Sequence, residues 1–326
     1  MIRCATIGTN FVADWFMKAL QACDGITCSL VYSRNRETAE AFCEKHGAGR
    51  WCTDLMEAAE AKDVDAVYIA SPNSLHYEQA ALMLSHGKHV LCEKTITSNE
   101  AELKELIRLA GENGTVLMEA MRSVHEEGFR RLKDVLPMAG TIRRISFQYA
   151  KYSSRYDKFK EGIIENAFNP AFSNGALMDI GVYCVHPLVR LFGMPKKIIA
   201  DSLLLSNGVE GAGTILASYD GMQAELLYSK ITNNRLPSQI QGEDGTLVID
   251  NITNICSVVF HDRNGNAKTV IDLPPNHTLE GEVNDWLRMI ETGEGIQEEN
   301  EASLMELRVM DEARRQAGII FPADRK

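Results

Sequence analysis

From residue 1 to about 120, short apolar runs alternate with segments of helical spacing. Ile2–Ile7, Ile26–Tyr32, Ala66–Ala70, His89–Cys92 and Val116–Glu119 read as strands. Helices are predicted between them, near 12–22, 36–46, 54–61, 74–86 and 98–112. The last shows its buried face through Leu103, Leu106, Ile107 and Ala110, which follow helical spacing. Thr97 with Glu100 offers a capping box at its start, and Gly111 to Gly114 supply the stop. Such alternation implies a doubly wound parallel sheet, because parallel neighbours need a crossover between them.

Beyond about residue 120 the pattern changes. A helix near 123–136 precedes a strand-like run, Thr141–Ala150, and a polar, aromatic stretch from Lys151 to Asn174. A helix over 175–192 follows. The β-like runs after it are punctuated by Asn207-Gly208, Asp220-Gly221, Asp244-Gly245 and Asn264-Gly265, pairs suited to tight hairpins. Hairpins join antiparallel neighbours, so the second half is expected to be an α+β domain on an open, mostly antiparallel sheet. Helices near 278–291 and 301–317 close the chain.

The chain has 326 residues, enough for two domains, and a net charge of −11. That charge argues against nucleic-acid binding, which needs clustered cations. The acidic stretch Glu291–Glu301 is expected to be a solvated loop. Eight cysteines form no Cys-x-x-Cys pair, as expected of reduced thiols in a cytoplasm. The first strand begins at once, leaving no room for a signal peptide, and no apolar stretch is long enough to span a bilayer. A cytoplasmic protein is expected. His125 with Glu126 and Glu127 lacks ligand spacing, so no metal site is indicated.

Two local patterns carry chemistry. The first strand runs into Gly8-Thr9-Asn10-Phe11-Val12-Ala13, a dinucleotide fingerprint with asparagine in place of its second glycine. Asparagine tolerates unusual backbone angles, and its amide could donate to a phosphate oxygen. The bland alternative is an ordinary strand–helix turn. The second strand ends in Ser33-Arg34-Asn35, with no carboxylate to receive a ribose 2′-hydroxyl. Ser33 and Arg34 suit a 2′-phosphate, which favours NADP over NAD; otherwise Arg34 is a solvated strand-end charge.

The second pattern is split along the chain. Lys94 follows a short apolar strand, while Asp179, Tyr183 and His186 share a helix face. An ammonium, a carboxylate, a phenol and an imidazole are proton-transfer groups suited to alcohol–ketone chemistry beside a nicotinamide. Asp179 would orient Lys94 or bind a substrate hydroxyl. Each also has a structural reading: pairing with Glu93 or a surface carboxylate for Lys94, a plain helix-face carboxylate for Asp179, helix packing for Tyr183, a core hydrogen bond for His186. Lys151, Arg155, Tyr156 and Asn169 could contact a polyol.

With the nucleotide loop, Ala70-Ser71-Pro72-Asn73-Ser-Leu-His76, Val90-Leu-Cys-Glu93-Lys94, Met118-Glu119-Ala-Met121 and Gly175–His186 in place, the chain resembles the Gfo/Idh/MocA oxidoreductases along essentially its whole length. The resemblance implies a dinucleotide-binding Rossmann domain over 1–121 and a substrate-binding and oligomerisation domain over 122–326. It assigns Gly8, Thr9, Asn10, Phe11, Ser33, Arg34, Ser71, Pro72, Asn73, His76, Glu93 and Lys94 to the NADP or NAD site. It makes Lys94 the central acid/base residue, touching substrate and cofactor. Tyr183 places the chain with the dihydrodiol dehydrogenase and glucose–fructose oxidoreductase branch. A small polyhydroxylated substrate and a homodimer or homotetramer are implied. Thr95 stands where the family usually has proline, and Arg122 where a tryptophan often follows. The rival expectation is a nucleotide-binding regulator that kept the fold without the chemistry.

Overall fold

A computed structural model describes residues 1–276 and 278–325. The chain begins with β1 (Ile2–Ile7), α1 (Phe11–Ala22), β2 (Ile26–Tyr32), α2 (Arg36–His46), β3 (Arg50–Cys52), α3 (Leu55–Glu60), β4 (Ala66–Ile69), α4 (Asn73–Ser85), β5 (His89–Glu93), α5 (Glu100–Asn113) and β6 (Leu117–Ala120). All six strands are parallel, in the order β3-β2-β1-β4-β5-β6. The order reverses between β1 and β4, and in doubly wound sheets ligands bind outside the carboxyl ends of strands at such a reversal. The sheet has one strand more than the apolar runs indicate. At three residues, Arg50-Trp51-Cys52, β3 is too short to show a period.

The start of α5 also differs. Asn99, not Thr97, is the cap: its side chain accepts from the Glu102 N–H, and Glu102 reaches back to the Ser98 N–H at 3.0 Å. The cap sits two residues later than the Thr97–Glu100 reading places it, with the Glu102 carboxylate reaching the residue before the cap.

The chain continues through α6 (Arg122–His125), α7 (Glu127–Val135), β7 (Ile142–Ala150), α8 (Ser154–Lys160), α9 (Val182–Phe192), β8 (Lys197–Leu204), β9 (Glu210–Tyr219) and β10 (Met222–Ser229). Then come β11 (Ser238–Gly242), β12 (Gly245–Ile249), β13 (Ser257–Asp262), β14 (Ala267–Asp272), α10 (Glu280–Thr292) and α11 (Ile296–Ala317). Strands β7 to β14 form one sheet in the order β14-β13-β12-β11-β7-β10-β9-β8. Only β7 and β10 pair in parallel; the other neighbours are antiparallel, so the sheet is open and mostly antiparallel. Gly221 and Gly265, at φ of 71° and 84°, turn the β9–β10 and β13–β14 hairpins. α11 begins at Ile296, so much of the Glu291–Glu301 stretch is helical rather than a loop.

Two compact units result: Met1–Arg122 with Thr278–Leu304, and Ser123–His277 with Met305–Lys326. A single cut after residue 121 misses the return of the 278–304 segment. The reason is burial: Leu279, Val283 and Trp286 pack in one core with Ala13, Phe16 and Leu20 of α1. Among the described residues, no helix is long and apolar enough to cross a membrane. All eight cysteines are unbridged thiols.

Candidate active site

In the first unit the expected cofactor residues gather at the sheet's reversal. Gly8 follows β1 at φ +112°, and a Cβ there would lie 2.7 Å from the carbonyl oxygen of Ala70, just beyond β4. Only glycine permits this approach, so the loop can lie flat across the carboxyl ends of β1 and β4. Asn10 behaves differently from the sequence reading. Its Oδ1 accepts from the N–H groups of Val12 and Ala13, and its Nδ2 donates to the Ala70 oxygen at 2.9 Å. The amide thus caps α1 and stitches its start to the chain just beyond β4. Its backbone is ordinary extended chain, at φ −84°. A helix start has several N–H groups without intrahelical acceptors; Asn10 takes two, and the dipole of α1 still favours an anion. Phe11 opens α1, exposed, with its ring edge-on to Trp15.

At the end of β2, the Ser33 hydroxyl accepts weakly from the Asn35 N–H at 3.4 Å, and Asn35 caps α2. Arg34 is exposed, with no ion-pair partner among the described residues. The open loop, the helix terminus and an unengaged guanidinium together suit a dinucleotide bearing an extra phosphate.

Around Lys94 the side chains interlock. The Lys94–Thr95 peptide is cis. His76 is fully buried, its Nδ1 2.9 Å from the Thr95 oxygen and its Nε2 2.9 Å from the Ser71 oxygen. Burial holds its pKa below the ordinary value, and the Lys94 charge adds to this; a neutral ring donates from only one of those nitrogens. Asn73 does not cap α4; its Nδ2 reaches the Thr95 hydroxyl at 3.4 Å, a group proline would not offer. The Ser71 hydroxyl donates to Gln79 at 2.7 Å, and Pro72 sits at the helix cap. Glu93 accepts from the Tyr68 hydroxyl at 2.5 Å, and Tyr68 stacks on Phe16. Burial raises the Glu93 pKa, opposed by that hydrogen bond and by the Lys94 and Arg122 charges. Glu93 thus anchors the strand end that presents Lys94.

Glu119 was noted in the sequence without a role. Buried, it accepts from the Ile96 N–H at 2.9 Å and from the Ser303 hydroxyl at 2.6 Å, holding the loop after Lys94.

In the second unit, the expected helix over 175–192 is not uniform. Leu177–Gly181 is a π turn, in which the Val182 N–H bonds back to Leu177, and α9 starts only at Val182. Asp179 lies in this turn and pairs with Lys230 at 2.7 Å. Tyr183 follows, half-buried, its ring edge-on to Tyr149. His186 is 1% exposed and bonds through Nδ1 to Glu306 at 2.6 Å. Within this unit it is a buried, hydrogen-bonded side chain. Lys151 and Arg155 are exposed; Tyr156 packs with Phe159 and Phe168, and Asn169 caps a short turn through the Ala171 N–H.

Residues 2–121 match the model of an oxidoreductase family with an NAD-binding Rossmann fold, and 132–248 match the Gfo/Idh/MocA C-terminal domain. The chain is 47% identical to scyllo-inositol 2-dehydrogenase (NADP(+)) of Bacillus subtilis, over 99% of both chains. It belongs to the Gfo/Idh/MocA oxidoreductase family. Trans-1,2-dihydrobenzene-1,2-diol dehydrogenase of Mus musculus, another relative, is 27% identical over 100% of this chain and 99% of its own. The crystal structure of a 3-ketoreductase from Actinomadura kijaniata, solved with NADP and TDP-benzene, superposes with a TM-score of 0.86 at 26% identity. That likeness covers 97% of this chain and 98% of the ketoreductase. As a Gfo/Idh/MocA protein the chain is an NAD(P)-dependent oxidoreductase acting on alcohol or ketone groups.

Proposed function

We propose that this enzyme is an NADP-preferring dehydrogenase of a cyclitol or a similar small polyol, oxidising one secondary hydroxyl to a ketone. The observation that carries the reading is the end of β2: an exposed Arg34 and no carboxylate, in a chain 47% identical to an NADP-dependent inositol dehydrogenase. A nicotinamide held here would supply the hydride acceptor for the carbinol carbon. Lys94 takes the hydroxyl proton as that carbon becomes a carbonyl, and Tyr183 is the second proton-transfer group. Asp179 accepts a hydrogen bond from a neighbouring substrate hydroxyl. Gly8 and the start of α1 carry the pyrophosphate, and Arg34 with Ser33 the 2′-phosphate. Reduced-nicotinamide absorbance tests this with NADP or NAD and a panel of inositols, sugars and diols. Turnover of a polyol with NADP is expected; tight NADP binding with no turnover of any member would favour the regulator.

We further propose that the second unit pairs copies of this enzyme into a homo-oligomer. The outer face of its sheet supports this: Ile199 and Leu203 of β8, Leu216 of β9 and Leu227 of β10 are exposed on alternating positions. Leu216→Glu should lower the oligomeric mass in light scattering; an unchanged mass would place the interface elsewhere.

A further inference from the structure

The sequence motifs single out Asp179, but not what holds it. Its partner Lys230 lies just past β10 and is 2% exposed. The Lys230 ammonium donates to the Ala167 oxygen at 2.6 Å and lies 4.7 Å from the centre of the Phe168 ring. A cation this deeply enclosed is stable only with fixed partners, and it in turn fixes them. Asp179 itself remains about one-third exposed, so the carboxylate that Lys230 holds still reaches solvent.

A second support acts on the turn rather than on the carboxylate. Glu210, at the start of β9 and fully buried, accepts from the Leu177 N–H at 2.9 Å, where the π turn begins. A Cβ on residue 175 would lie 2.3 Å from both Glu210 carboxylate oxygens, so Gly175 makes the space that the carboxylate fills. Glu210 and Lys230 are neighbours across the β9–β10 ladder, where the Lys230 N–H bonds to the Gly211 oxygen at 2.8 Å. At the far end of the turn, a Cβ on Gly181 would lie 2.9 Å from the Tyr228 ring of β10. The turn is thus gripped at its start, its middle and its end by two adjacent strands.

We propose that Lys230 is a positioning residue of this oxidoreductase, aiming the Asp179 carboxylate at a substrate hydroxyl from a π turn that Glu210 holds in register. The inference rests on the polyol dehydrogenase reading for the use made of Asp179. It concerns the substrate side alone, so its effects fall on the polyol and not on NADP.

The test is a double-mutant cycle in the full-length enzyme with Lys230→Met, Asp179→Asn and the pair, using scyllo-inositol and NADP. Lys230→Met should lower kcat/KM for scyllo-inositol by roughly 100-fold, while NADP affinity, measured by fluorescence titration, stays within about twofold. Lys230→Arg should recover part of the loss, and adding Lys230→Met to Asp179→Asn should cost little more. Multiplying losses in the pair, or NADP affinity falling in step with turnover, would overturn the proposal. If Lys230→Met does not fold, Lys230→Gln, which can still donate to the Ala167 oxygen, takes its place. A wild-type enzyme inert toward scyllo-inositol and the other polyols would remove the dehydrogenase reading instead. The same proteins then test the pairing by thermal unfolding: midpoint losses smaller together than in sum support it, and additive losses overturn it.

Discussion

The two units place their chemistry in different ways. In the first, the groups proposed to bind NADP and move a proton sit at strand ends: Gly8 after β1, Arg34 after β2, Ser71 to His76 after β4, Lys94 after β5. Parallel strands deliver these ends to one edge, so topology brings together residues far apart in sequence. In the second unit, Asp179 and Tyr183 sit on a helical segment whose geometry depends on distant side chains. Glu210 and Lys230 brace its π turn, Tyr149 meets the Tyr183 ring, and Glu306 fixes His186. The Asp179 turn is braced from β9 and the end of β10, whereas Ser33, beside Arg34 at the β2 end, bonds within the same short loop. Substitutions around Asp179 should therefore disturb substrate use at longer range than those around Arg34.

Three further substitutions sharpen that contrast. The largest effect is expected from Lys94→Met, which should lower turnover by roughly 10²–10⁴-fold with NADP affinity changed only severalfold. Steady-state kinetics and a binding titration check both halves, and undiminished turnover would remove Lys94 from its proposed role. Arg34→Ala should weaken NADP by about 10- to 100-fold, the loss of a charge-assisted contact, and leave NAD within about twofold. An unchanged NADP/NAD ratio would mean that the 2′-phosphate is held elsewhere.

The smallest effect concerns the brace and is read in stability. Burial pushes the Glu210 pKa from 4.5 up to about 7. The folded state therefore holds this proton more tightly than the unfolded chain. Between those two values the folded state carries more protons, so stability falls as pH rises through the window and levels off above about 7. The full contribution is about 3 kcal/mol. Glu210→Gln keeps an acceptor for the Leu177 N–H and removes the titration. Its unfolding midpoint should fall less between pH 5 and pH 8 than that of the wild type, and parallel curves in the two proteins would contradict the assignment.

What the sequence made legible follows the same divide. Alternation of apolar runs and helical spacing was enough for the doubly wound sheet, and Asn-Gly and Asp-Gly pairs for the hairpins of the second. Arg50-Trp51-Cys52 was too short to register as a strand. The 278–304 segment showed an apolar face, but an apolar face does not name what it packs against; Trp286 and Val283 belong with α1. At the site, Lys94 and Gly8 stand out in the sequence because each sits in a local motif. The π turn could not, since a single widened turn leaves helical spacing nearly unchanged. Nor could Lys230: a lysine closing a strand carries no mark of burial, and its meeting with Asp179, 51 positions earlier, arises only when β10 lies beside the turn. Asn10 shows a different limit. Its position in the fingerprint was plain, whereas the preference of its amide for the Ala70 oxygen was set by the close approach that Gly8 permits.

The central claim is that this chain moves hydride directly between a polyol carbon and NADP. It is tested most directly by incubating the enzyme with scyllo-inositol deuterated at its ring carbons and analysing the reduced cofactor by mass spectrometry. The account predicts one deuterium in each NADPH formed, with a matching amount of ketone. NADPH without deuterium, or ketone formed with no NADPH, would contradict it.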